Sequence, residues 1–87
     1  MYQILIPAPV EKALQRMRNR AERERLISEI EELANNPRPN GCKKLKGYED
    51  LYRVRKGDWR IIYQIRDKQL IIVIVEVDTR DNVYRNL

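Results

Sequence analysis

Residues 51–66, Leu51-Tyr52-Arg53-Val54-Arg55-Lys56-Gly57-Asp58-Trp59-Arg60-Ile61-Ile62-Tyr63-Gln64-Ile65-Arg66, decide the fold. Two runs rich in β-branched and aromatic residues flank Lys56-Gly57-Asp58, the signature of a β-hairpin. Leu51 to Arg55 and Trp59 to Arg66 are therefore expected to be strands. After Asp67-Lys68 the run Leu70 to Val77 supplies a third, making two consecutive antiparallel hairpins. That run is almost continuously apolar up to Glu76, which fits a central strand covered on both faces.

Working back from the hairpins, Lys43-Lys44-Leu45-Lys46-Gly47 is a basic stretch, and Asn35-Asn36-Pro37-Arg38-Pro39-Asn40-Gly41 breaks any regular period. Upstream of the break, Leu26, Ile27, Ile30, Leu33 and Ala34 follow the spacing of one helical face, as do Val10, Ala13, Leu14 and Met17. Arg18-Asn19-Arg20 interrupts the two sets, so a helical hairpin is expected, although one kinked helix fits nearly as well. Tyr2 to Ile6 reads as a first strand stopped by Pro7-Ala8-Pro9, because proline cannot donate to a ladder. The expectation is a single α+β domain over residues 1–87: a small, antiparallel-rich sheet of about four strands with an N-terminal helical hairpin on one face.

A chain of 87 residues has a thin core, burying only somewhat more than roughly 60% of the surface it exposes when unfolded. Cys42 is the sole cysteine and histidine is absent, so no disulfide framework or Cys/His zinc spacing can be written. Neither a metal nor another cofactor is expected. The start, Met1-Tyr2-Gln3-Ile4, has no basic segment followed by a long apolar one, so no signal peptide is expected and the cytoplasm is the anticipated compartment. The longest apolar run, Leu70 to Val75, falls far short of the roughly 20 residues that span a bilayer.

Lys and Arg number 18 against 13 acids, a net charge of +5 that suits a phosphate-bearing partner or an acidic protein surface. Residues 1–40 carry seven cations against six acids, whereas residues 41–87 carry eleven against seven, so the excess lies with the strands. Strand side chains alternate, which places Arg53 and Arg55 on one surface about 7 Å apart. A loop of Gly57-Asp58 sets Arg60 opposite Arg55; a loop of Lys56-Gly57 sets it opposite Arg53. Either two-residue loop makes a three-arginine cluster, while a bulged three-residue loop shifts the parity. Like charges directly opposite destabilise a sheet, so the cluster calls for an anion. Singly, each arginine reads equally well as a solvated side chain. Trp59 and Tyr63 fall on the other face, as core residues.

Lys44-Leu45-Lys46-Gly47, Leu51-Tyr52-Arg53-Val54-Arg55, Gly57-Asp58-Trp59-Arg60-Ile61-Ile62-Tyr63-Gln64-Ile65, Val77-Asp78-Thr79-Arg80 and Val83-Tyr84 together resemble the successive blocks of the RelE/ParE toxin superfamily. The resemblance implies a compact sheet with two helices on one face. In RelE-like members it implies an endoribonuclease that cuts mRNA in the ribosomal A site and is neutralised by an antitoxin wrapping the fold. The residues matching the RelE-type site are Arg53, Arg55, Arg60, Arg80 and Tyr84. This chain departs from relatives in having arginines where lysines occur at positions 53 and 55, and Thr79 where many members carry a histidine. It also ends three residues after Tyr84, so no counterpart of a C-terminal helix found in relatives is expected.

These residues support a metal-free reaction in which the RNA 2′-hydroxyl attacks its own phosphate. Arg60 and Arg80, assisted by Arg53 and Arg55, are the expected phosphate-stabilising groups, and Tyr84 the expected general base, its phenolate favoured by neighbouring cations. Lys44 and Lys46 are candidate phosphate contacts, although a solvated loop is the favoured reading of each. The expected partners are a cognate antitoxin, the ribosome and mRNA, with no membrane and no metal. Three alternatives stand beside this reading: a ParE-like inhibitor of DNA gyrase, a non-catalytic RNA- or ribosome-binding module, and a toxin disarmed by mutation.

Overall fold

The structure is a computed structural model and describes residues 1–79. Its elements are β1 (Gln3–Leu5), α1 (Ala8–Gln15), α2 (Arg20–Glu32), β2 (Lys43–Lys44), β3 (Leu51–Lys56), β4 (Trp59–Arg66) and β5 (Ile71–Thr79), with a 3₁₀ turn at Asp67–Gln69 before β5. They build one sheet in the order β1-β5-β4-β3-β2. β1 runs parallel to β5 and every other pairing is antiparallel.

Each helix begins where the sequence provides a start. Pro7 precedes α1 with an extended backbone, and Pro9 lies in the first turn, where a missing N–H leaves no bond unmade. Asn19 caps α2, its side chain accepting from the Glu22 N–H at 3.0 Å. The chain is thus a pair of helices rather than one kinked helix. Their apolar faces, Val10 and Leu14 from α1 and Leu26 and Ile30 from α2, join Leu33 and the sheet residues Val54, Ile61, Tyr63, Ile65, Ile72, Ile74 and Val77 in one core. Each aliphatic side chain so buried stabilises the fold by roughly 1.5–3 kcal/mol.

Two features differ from the sequence expectation. The basic stretch contributes a fifth strand, β2, whose two lysines carry no β-propensity of their own and are held by pairing with Tyr52 and Arg53. The central strand is β4 and not β5: β1 covers β5 only from Ile71 to Val73, and Val75 remains 37% exposed.

β5 also contains a register shift opposite Ile62 and Tyr63, with Ile62 facing Glu76 but Tyr63 facing Ile74. Val75 is the extra residue of a β-bulge. Before it, Ile72 and Ile74 point to the helices; after it, Val77 does, so Glu76 and Asp78 turn to the opposite surface. Simple alternation would have aimed both carboxylates into the core.

The irregular segment after α2 is tied to the sheet by a polar cluster. Arg38 contacts both Asp67 oxygens, at 2.9 and 3.4 Å, and its guanidinium lies 5.2 Å from the centre of the Tyr52 ring. The Tyr2 hydroxyl donates to Asp67 at 2.6 Å, and the Tyr63 hydroxyl donates to the Pro37 carbonyl at 2.7 Å. Among the described residues, no helix is long and apolar enough to cross a membrane.

Candidate nucleic-acid interface

Gly57 takes a positive φ of 61° in the loop between β3 and β4, a conformation that glycine adopts without strain. The loop residues are Gly57-Asp58, and Arg55 stands directly opposite Arg60 while Arg53 stands opposite Ile62. The three arginines therefore share the face turned away from the helices. Trp59 and Tyr63 occupy the other face, Trp59 packing on the core and donating its indole N–H to Glu22 Oε1.

Burial separates the three. Arg55 is exposed, but Arg53 and Arg60 are only 7% and 5% exposed. The Nε atoms of both are buried without a hydrogen-bond partner. A buried guanidinium N–H lacking an acceptor costs roughly 1–3 kcal/mol or more, so two side by side mark a face prepared for an anion.

The strand order lays out the neighbouring charges. Lys43 is opposite Arg53 on β2, and Asp78 is opposite Arg60 on β5, with Glu76 one step along opposite Ile62. Read across the sheet, one row is Lys43, Arg53, Ile62, Glu76 and the next is Arg55, Arg60, Asp78. A groove of about 300 Å³ lined by Asn40, Gly41, Lys43, Arg53, Val54 and Arg55 opens along the β2 side. Asp78 Oδ1 accepts the Thr79 N–H at 2.7 Å.

Of the residues expected from sequence, the structure brings together Arg53, Arg55 and Arg60. Lys44 is paired with Tyr52 and so sits at the opposite parity from Arg53, while Lys46 lies in the turn that follows, where both line a separate hollow with Tyr48. Lys43, which the sequence reading did not single out, lies on the arginine face opposite Arg53. Arg80 and Tyr84 lie outside the described residues. Glu76 and Asp78 were not singled out from sequence, because counting along β5 without the bulge sends them to the core.

Tyr63, beneath this face, has its hydroxyl held neutral: burial, reinforced by the nearby Cys42 thiol, pushes its pKa well above the usual phenol value. It is a structural residue. Among the described residues, no cluster of three or more His, Cys, Asp or Glu gathers as metal ligands.

Comparison with known proteins agrees with this architecture. Residues 4–84 match the family model for the ParE toxin of the type II toxin-antitoxin system parDE. A Methanocaldococcus jannaschii relative bearing the RelE1 toxin name is 38% identical over 60 residues, 66% of this chain and 67% of that protein. The archaeal RelE–RelB complex from Pyrococcus horikoshii has a chain that superimposes with a TM-score of 0.81 at 33% identity, covering 94% of this chain and 98% of its own. The RelB–RelE antitoxin–toxin complex from Methanococcus jannaschii gives a TM-score of 0.74 at 28% identity, covering 95% and 98%. The isolated Escherichia coli RelE toxin, at 22% identity, shares the fold with a TM-score of 0.78 over 91% of this chain and 84% of its own. With the arginine face, the two-helix, mixed-sheet fold and the family match over nearly its whole length, the chain belongs to the RelE/ParE toxin superfamily.

Proposed function

We propose that this toxin is a metal-independent, ribosome-dependent endoribonuclease that cleaves mRNA by attack of a 2′-hydroxyl on the adjacent phosphate. The observation that carries the reading is the pair of buried arginines Arg53 and Arg60, each with an Nε that lacks a hydrogen-bond partner, beside exposed Arg55. A phosphodiester laid across them supplies the missing acceptors and takes charge-assisted bonds from a fixed donor array. The same array stabilises the extra negative charge that develops on phosphorus, which is the main catalytic demand when the substrate brings its own nucleophile. Arg80 and Tyr84 complete the assignment as a further phosphate ligand and a group in proton transfer. The products are a 2′,3′-cyclic phosphate and a 5′-hydroxyl.

The chain's partner is a cognate antitoxin, as RelB is for the solved relatives. An antitoxin that covers the arginine face blocks access of RNA and satisfies the guanidinium groups in its place.

A 2′-deoxy substitution at the cut position of a ribosome-bound message tests the mechanism. Cleavage should stop while the substituted RNA remains bound, and the unsubstituted product should end in a cyclic phosphate. Cutting that survives the substitution contradicts 2′-hydroxyl attack. Inhibition of DNA gyrase is the second reading, favoured by the match to a ParE family model. It requires no cleavage and predicts arrested DNA supercoiling with intact mRNA.

A further inference from the structure

Arg60 and Asp78 face each other across β4 and β5, yet among the described residues they do not form an ion pair: the Arg60 Nε has no acceptor and no cation pairs with Asp78. If Asp78 served only as the counter-ion of Arg60, the two would be joined. Side by side and unjoined, they offer a donor and an acceptor to a third molecule. One oxygen of Asp78 is fixed by the Thr79 N–H at 2.7 Å, which sets the orientation of the carboxylate. Glu76 shares the face but is already engaged, so Asp78 is the carboxylate available to a ligand.

Neighbouring strands lie about 4.8 Å apart, so Asp78 is roughly 5 Å to one side of Arg60, and Lys43 a similar step beyond Arg53 on the other. A phosphate seated on Arg53, Arg55 and Arg60 therefore has a carboxylate on its β5 side and an ammonium on its β2 side. In-line displacement at phosphorus needs the entering and leaving oxygens on opposite sides. Guanidinium groups do not exchange protons at ordinary pH, so among the described residues the two flanking groups are the ones placed for that task.

We propose that Asp78 and Lys43, on opposite flanks of the arginine cluster, are the proton-accepting and proton-donating pair of the RNA cleavage reaction. This rests on the endoribonuclease reading and moves the role of base, which the sequence gave to Tyr84, to Asp78. The Asp78 carboxylate takes the proton of the 2′-hydroxyl as the O2′–P bond forms. The P–O5′ bond breaks, and O5′ takes a proton from the Lys43 ammonium. The resulting carboxylic acid and amine return to their starting forms by exchanging a proton through water.

The test is single-turnover cleavage on programmed ribosomes at saturating toxin, alongside binding to the same complex carrying a 2′-deoxy message. Asp78→Asn should slow cleavage by about 100-fold or more. It should bind as tightly as the parent or several-fold tighter, since a negative charge has left the RNA-facing surface, and Asp78→Glu should recover part of the rate. Lys43→Ala should slow cleavage at saturation, and Lys43→Arg should not restore it, because a guanidinium keeps the charge but yields no proton. Asp78→Asn cleaving at the parent rate or faster makes Asp78 a counter-charge and overturns the proposal. So does parallel loss of binding and cleavage, and so does full activity in Lys43→Arg. A parent protein that leaves ribosome-bound mRNA intact overturns the endoribonuclease reading itself.

Discussion

Arg53 and Arg60 occupy positions where a long apolar side chain suits the sheet better than a guanidinium does. At 7% and 5% exposure with an unpartnered Nε each, they lower the stability of the free protein. Arg60→Met keeps most of the volume and removes the unsatisfied donors. It should raise unfolding stability by about 1 kcal/mol in a denaturant titration while abolishing cleavage, the opposition expected of a binding residue. A loss of stability would show that these groups are satisfied within the fold. Asp67 behaves in the reverse sense. The hydrogen bond from Arg38, and then that from Tyr2, holds its carboxyl below the usual carboxylate range. A depressed folded-state pKa gives stability that is present above the unfolded value of about 3.9 and lost as pH falls through the folded one. Asp67→Asn should therefore lower the melting temperature modestly near neutrality, where the carboxylate contributes, and flatten the acid limb so that the two proteins converge below about pH 4.

Among the elements, the bulge in β5 is what separates core from functional face. Deleting Val75 leaves Ile74 followed directly by Glu76, so simple alternation then keeps Ile74 and Val77 in the core and Glu76 and Asp78 on the outer face. No carboxylate is driven inward, so the deletion should be tolerated, shifting stability by about 1 kcal/mol or less as read from the denaturation midpoint. A fall of several kcal/mol would mean that the strand end does not hold this register. The bulge also marks how far the sequence could be read. The β3–β4 hairpin, the glycine-containing loop and the pairing of Arg55 with Arg60 were legible, since residue type and period two fix them. The two helices were legible from their apolar spacing and from Asn19 between them. Asp78 and Lys43 were not. The first depends on one extra residue in an apolar run, which leaves no mark in the pattern. The second depends on a two-residue edge strand whose lysines are placed by the partner strand alone.

For the molecule as a whole, a thin core and an unneutralised cationic face leave stability to be supplied by association. A cognate antitoxin that binds only the folded toxin stabilises it by mass action, about 2.7 kcal/mol at a free concentration of 100 Kd. For a domain of this size, each kcal/mol moves the melting temperature by roughly 4–8 °C. A rise above 10 °C at saturating antitoxin is expected by scanning calorimetry, and Arg60→Met should narrow the gap from the side of the free protein. The most direct test of the central claim, that the arginine face cuts ribosome-bound RNA, is primer extension on a reporter mRNA. The purified toxin and Arg60→Ala are compared, with and without programmed ribosomes. The account predicts discrete cuts that require the ribosome and vanish in the variant; intact message under both conditions, from protein that still arrests growth, would contradict it.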